Sequence, residues 1–258
     1  MSFISLNFVV LFACTFILYH TLPSRFRKAT LLTASCLFIG FYHLAFLITA
    51  LILTLTTFYL GKWIGQAKRE SGMKGIYFSG VCFLVVSWLA FRYADRLTDC
   101  HILFPLGISF YTFQAISYLT EIYWQEEEPE KSLPDFMIYM LFFMKFLSGP
   151  IERAGDMLPQ LKSCKATDYA SMVYGMRLIV VGLIKKLILA DSIAPYIDGV
   201  FGSVYTASGV QLLMACLLYP IELYADFSGY TDIALGGARM LGFKLSPNFN
   251  RPFIAQTT

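Results

Sequence analysis

Residues Ala29–Gly61 read ATLLTASCLFIGFYHLAFLITALILTLTTFYLG, a stretch without a charged side chain. As one straight helix rising about 1.5 Å per residue it would be roughly 50 Å long, against about 30 Å of bilayer hydrocarbon. Two shorter helices that turn near Gly40, Phe41, Tyr42 and His43 fit better than one tilted span. The flanks agree, since Arg25, Arg27 and Lys28 precede the stretch and Lys62, Lys68, Arg69 and Lys74 follow it. A hairpin returns both basic clusters to the cytoplasmic side, as the positive-inside tendency requires, and leaves the N-terminus outside.

Composition points the same way. The 258 residues are 57% hydrophobic and 14% charged, with a mean hydropathy of +0.61. Soluble domains carry about 25% charged residues. A water-soluble globule of this length would lack a polar skin, so the chain reads as an integral membrane protein. A net charge of +3 with no extended basic patch argues against a nucleic-acid partner. Met1–Pro23 has its basic residues after the apolar run rather than before it, the reverse of a signal peptide, and reads as a retained first span. Six scattered cysteines without a C-x-x-C pair read as buried hydrophobes, with no metal site among them.

Further spans are expected over Gly75–Phe91, over Cys100–Thr120 with its interruption at Pro105 and Gly107, and over Gly199–Ile221. Phe136–Ile151 is apolar around Lys145, whose amine is expected to snorkel to the interface. Tyr174–Ala190 is cut by Arg177, Lys185 and Lys186. Ala154–Ala170 reads as interfacial or re-entrant, a conformation admitted at membrane depth only under cover of protein or a cavity. The acidic cluster Glu126, Glu127, Glu128 and Glu130 reads as a solvated loop. The expected fold is all-α: a multi-pass transmembrane helical bundle of about six to eight spans, with re-entrant or interfacial helices beside them. No linker, repeat or low-complexity tract divides it, so residues 1–258 are expected to form a single membrane domain.

Polar chemistry gathers in Tyr224-Ala-Asp226-Phe-Ser228-Gly-Tyr230-Thr-Asp232 and Pro247-Asn-Phe-Asn250-Arg251-Pro-Phe253, beside an apolar run. Ionisable groups so placed face a water-filled path or a partner rather than lipid. Glu222 and Asp226 share a helix face if the helix runs on past Pro220. Alternatively, Asp226 to Gly229 stops one helix and restarts the next, with Ser228 or Asp226 as the cap. For Asp226 the capping and cavity-lining roles stand level. Gly236, Gly237 and Gly242 lack phosphate-loop spacing and read as close helix packing. Lys185 and Lys186, followed by Asp191, read as a phosphate-binding pair or as the edge of an amphipathic helix. His20, His43 and His101 are dispersed, and no Ser-His-Asp or Cys-His set is recognisable. Residue types alone support a polar membrane interior. They leave a transporter or a non-catalytic membrane scaffold open, and they name no reaction.

Five segments occur in a telling order: Phe104-Pro-Leu-Gly-Ile-Ser-Phe-Tyr-Thr-Phe-Gln114, Ser148-Gly-Pro-Ile-Glu-Arg153, Gly182-Leu-Ile-Lys-Lys186 with Ala190-Asp191, Tyr224 to Asp232, and Asn248-Phe-Asn-Arg-Pro252. With them the chain resembles the membrane-bound O-acyltransferase (MBOAT) family, in its bacterial alginate O-acetylation branch. The resemblance implies a multi-pass protein of the bacterial inner membrane. It implies an acyl donor, usually acetyl-coenzyme A, taken up as a substrate rather than held as a cofactor. It further implies an extracytoplasmic polysaccharide acceptor and a periplasmic acyltransferase partner protein. In the family the catalytic histidine lies in a W-R-R-W-H type segment after the N-F-N-x-P motif. That histidine is therefore expected beyond Thr258, and no histidine of this sequence is assigned its role. The chain is expected to be the N-terminal part of such a fold and inactive alone. Asp226, Ser228, Tyr230, Asp232 and Asn250 are then the candidates for lining the chamber and supporting the absent group.

Overall fold

In the computed structural model the chain turns where the charge-free stretch is too long for one crossing. Helix α2 (Ser24–Gly40) ends there and α3 (Leu44–Gln66) begins, with His43 at its N-terminal boundary. The structure describes residues 5–67, 69–97, 105, 107–147, 149–164 and 167–248. All regular structure among them is helical. The packing divides into two compact units, one of residues 1–147 and 151–166, the other of residues 148–150 and 167–258.

The first unit adds α1 (Leu6–Thr21), α4 (Glu70–Leu97), α5 (Ile108–Tyr123), α6 (Leu133–Leu141) and α7 (Ala154–Ser163). Ser5 caps α1 by accepting from the Phe8 N–H at 3.3 Å. Apolar surroundings make an unpaired hydroxyl costly. Thr15, Ser35, Thr54 and Thr57 avoid that cost by donating to the carbonyl four residues back, at 2.7 to 2.8 Å. Ser35 also accepts from the Phe143 N–H at 3.2 Å, which fastens α2 to the segment after α6. Phe8, Phe38 and Phe143 meet beside this bond with ring centroids 5.8 to 6.3 Å apart.

In this unit the interruption expected at Gly107 is met, and the depth expected for Lys145 changes. The expected fourth span is helical from Ile108, after Gly107 adopts a left-handed φ of 73°. A Cβ on Gly107 would stand 2.6 Å from the Phe146 carbonyl oxygen, so the position suits glycine on both counts. Residues 98–104, including His101, lie outside the described residues. Within Phe136–Ile151 the 9-residue α6 stops at Leu141, and turns follow. Those turns carry Lys145 inward. It is 3% exposed and does not snorkel; its Nζ lies 4.5 Å from the Tyr139 ring centroid, near the buried Glu152. Burial pushes the Lys145 ammonium below the ordinary lysine range, against the opposing pull of Glu152.

The acidic loop is solvated only in part, because Glu130 is buried. Its carboxylate accepts from the N–H groups of Lys131 and Ser132, each at 2.8 Å, and pairs with Lys162 at 2.8 Å. Its own N–H donates to the Tyr118 hydroxyl at 3.0 Å. Burial raises the Glu130 pKa, but the Lys162 and backbone donors outweigh it and hold the group below the usual carboxylate range.

The second unit is built from α8 (Tyr169–Leu183), a π-helical segment (Ile184–Ala190), α9 (Asp191–Gly202) and α10 (Gly209–Met240). Two expectations fail here for local reasons. Gly199–Ile221 is not one span, since α9 ends at Gly202 and Ser208 opens α10 with a capping box. Ser208 accepts from the Gln211 N–H at 3.3 Å, and Gln211 accepts from the Ser208 N–H at 2.8 Å. Nor does Asp226 to Gly229 interrupt a helix. Helix α10 continues through Pro220 and Gly229 to Met240, so neither Asp226 nor Ser228 is a cap. At Gly229, packing against α8 in the C-terminal half of α10 outweighs the helix-breaking tendency of the residue. Among the described residues three helices are long and apolar enough to cross a membrane: Leu44–Gln66, Glu70–Tyr93 and Gly209–Met240.

Candidate functional site

The second unit holds the described candidates, and a seam of glycines sets their geometry. Gly175 and Gly182 of α8 face Gly236 and Gly229 of α10. A Cβ on Gly175 would stand 2.6 Å from the Gly236 carbonyl oxygen, and one on Gly182 would stand 2.6 Å from that of Gly229. Backbones this close admit only hydrogen at those positions. The expectation that the glycines serve helix packing is therefore met at Gly236, while Gly242 turns the chain after α10 with a φ of 90°.

Where α8 leaves the seam its winding loosens into the π-helical segment, which carries Lys185 and Lys186. π-Bulges occur often at functional sites because the extra residue redirects neighbouring side chains. Here adjacent lysines reach carboxylates six residues apart on α10. Lys185 pairs with Asp232 at 2.6 Å. Lys186 pairs with Asp226 and also with Asp191, the latter at 2.8 Å. The cations lie beside aromatic faces as well, Lys185 at 5.8 Å from the Tyr224 centroid and Lys186 at 5.4 Å from that of Tyr230. These lysines are thus neither a free phosphate-binding pair nor a plain amphipathic edge. They are counter-ions for the two α10 carboxylates.

The helical period sorts the candidates into two stripes. Asp226 and Tyr230 are four apart and share one face; Ser228 and Asp232 share another. Gly229 lies between the two stripes. The structure accordingly joins Asp226 and Tyr230 through Lys186, and gives Asp232 a separate partner. Ser228 is 2% exposed, and its hydroxyl makes no hydrogen bond among the described residues. A buried donor left unmet costs about 1–3 kcal/mol, a cost packing alone does not require. Asn250 and Arg251 lie outside the described residues, and Asn248 is exposed.

The lysine partners were missed in the sequence. The signal for them was a pair of basic residues in an otherwise apolar segment, matched by two carboxylates in another. No histidine occurs in the second unit; His20 is in the last turn of α1 and His43 precedes α3. The site therefore offers fixed charges, a phenol and a buried hydroxyl, groups that orient and stabilise, and it offers no imidazole base.

The chain belongs to the membrane-bound O-acyltransferase family, as its similarity to curated members shows. It is 34% identical over 276 aligned residues to a probable alginate O-acetylase of Azotobacter vinelandii, covering 100% of this chain and 55% of that protein. A probable alginate O-acetylase of Pseudomonas aeruginosa is 32% identical, with 100% of this chain and 52% of the relative covered. A peptidoglycan O-acetyltransferase of Helicobacter pylori is 27% identical over 89% of this chain and 51% of its own length. The chain thus spans about half the length of the curated relatives it matches. No protein-family model matches it.

Proposed function

We propose that this chain forms the α8–α10 wall of a membrane-bound O-acetyltransferase. In this reading an acyl group, acetyl from acetyl-coenzyme A, passes to a hydroxyl of an extracytoplasmic polysaccharide at the bacterial inner membrane. The protein crosses that membrane several times, about six to eight in all, as one membrane domain, and a periplasmic partner protein completes delivery. The observation that carries the proposal is the Lys186 bridge between Asp226 and Asp191, built into the seam of a chain matched along its whole length by O-acetylases. Ionisable groups on a helix of membrane-spanning length are retained where a polar path or reacting group needs them.

The chemistry assigns the wall a supporting part. A base removes the proton of the acceptor hydroxyl, the oxygen adds to the thioester carbonyl, and collapse expels the thiolate of coenzyme A, which takes up a proton. The base is an imidazole poised near neutral pH, and it is supplied from outside the described residues. Asp226 and Tyr230, fixed by Lys186, orient it, and Asn250 is given a supporting role on its motif alone. Ser228 presents its unmet hydroxyl to substrate or water, and Asp232 with Lys185 holds the other flank.

The test is transfer of radiolabelled acetyl from acetyl-coenzyme A to polysaccharide in membranes containing this chain. The assay is run in membranes supplied with the periplasmic proteins of Azotobacter vinelandii, with this chain alone and with the complementary half of the relative from that organism supplied as a second polypeptide. Transfer that needs both halves supports the proposal. Transfer by this chain alone would overturn the assignment of the base elsewhere. A failure to transfer with both halves inserted and co-purifying would overturn the wall assignment.

A further inference from the structure

At the far end of α10 a second feature lies apart from the lysine–aspartate pairs. A cavity of about 290 Å³ is lined by Tyr174, Leu178, Leu235, Arg239, Lys244, Leu245 and Pro247, all in the second unit. Its chemistry is divided. Arg239, in the last turn of α10, and Lys244 supply two positive charges, and the rest is leucine, proline and an aromatic ring. The Arg239 guanidinium lies 5.9 Å from the Tyr174 centroid, and its Nε is buried without a hydrogen-bond partner among the described residues. Asp168 is the carboxylate whose charge reaches Arg239, and it stands at the start of α8 rather than in the lining. A guanidinium at a helix C-terminus already complements the helix dipole. That role requires neither the cavity nor a second cation beside it.

We infer that this cavity binds the phosphodiester head of an anionic phospholipid, with Arg239 and Lys244 on the phosphate and the first methylenes of an acyl chain along Leu178, Leu235 and Leu245. Three observations favour a lipid over a soluble phosphate. The lining away from the cations is apolar, which suits an amphipathic ligand and gives nothing to inorganic phosphate. The cations stand at the end of a helix long and apolar enough to cross a bilayer, the depth at which head-group phosphates lie. The volume is at the floor of the roughly 300–1,000 Å³ typical of sites for drug-sized ligands. It accommodates a head group and falls short of a whole nucleotide thioester.

The full chain is reconstituted in nanodiscs of phosphatidylcholine doped with phosphatidylglycerol, and native mass spectrometry reads which lipid stays bound on release. The unmodified chain should retain phosphatidylglycerol over phosphatidylcholine. Lys244→Gln should lower that preference about fivefold, and Lys244→Glu further, since one basic group near anionic lipid contributes about that factor. Lys244 is exposed, so these variants keep the fold even where Arg239→Gln does not. Arg239→Lys, which keeps the charge and loses the planar fork, should fall between the unmodified chain and Lys244→Gln. No preference in the unmodified chain, or a preference untouched in Lys244→Glu, would overturn the inference. So would displacement of the lipid by inorganic phosphate or by coenzyme A, which would mark the cavity as a soluble phosphate site.

Discussion

At the scale of single residues, the instructive position is Lys145, because a general rule applied to it gave the wrong depth. Snorkelling presumes a long side chain on a regular helix near an interface. The nine-residue α6 and its turns place this lysine inside instead, over Tyr139 and near Glu152. Removing the carboxylate charge near a buried ammonium leaves that ammonium less compensated, whereas replacing both groups by neutral ones of similar volume is close to neutral. Glu152→Gln should therefore lower the unfolding midpoint in mild detergent strongly, and Lys145→Met combined with Glu152→Gln should recover most of the loss. Glu130 predicts a pH dependence. Its pKa is depressed in the folded state, so its contribution is complete above the unfolded glutamate value of about 4.3 and is lost as pH falls through the lower folded value. Glu130→Gln should flatten the acid limb of a stability–pH curve, and an unchanged limb would exclude this group as its source. Neither environment was legible in the sequence, because both depend on partners brought in by turns that no local pattern specifies.

Among the helices, the readings that succeeded were those set by length and by residue size. The hairpin at Gly40–His43 was legible because a bilayer is too thin for Ala29–Gly61, a constraint independent of tertiary detail. The glycine seam was legible as small residues that let backbones approach. The break expected at Asp226 to Gly229 fails for an identifiable reason: capping preferences describe an isolated helix, and α10 runs on where α8 packs against Gly229, the very glycine that suggests a stop. Lys185 and Lys186 were seen, but their partners lie more than thirty residues away, at Asp226 and Asp232, and spacing within one helix cannot reveal them. The seam yields its own prediction. Gly182→Ala places a Cβ 2.6 Å from the Gly229 carbonyl, so the backbones must separate, at a typical overpacking cost of about 1–3 kcal/mol. The same displacement pulls Lys186 from Asp226, and transfer activity with the complementary half present should fall with stability. Gly199→Ala, where nothing lies within 4 Å, is the control and should leave both unchanged.

For the whole molecule, both units leave buried hydroxyls without a hydrogen-bond partner among the described residues, Tyr111 and Thr112 in the first and Ser228 in the second. The second unit keeps a buried hydroxyl unmet and sets two carboxylates against two lysines at a loosened helical turn. That arrangement of charges, rather than the unmet hydroxyl, is why the second unit, and Asp226 in particular, is assigned the supporting role in acyl transfer. The direct measurement is labelled acetyl transfer by the two-part enzyme carrying Asp226→Asn, set beside the unfolding midpoint of the same chain. The assignment predicts that the rate falls about tenfold or more, the worth of roughly 1.4 kcal/mol in the transition state, while the chain inserts and unfolds within about 1 kcal/mol of its parent. A variant that transfers acetyl at the parental rate would contradict it.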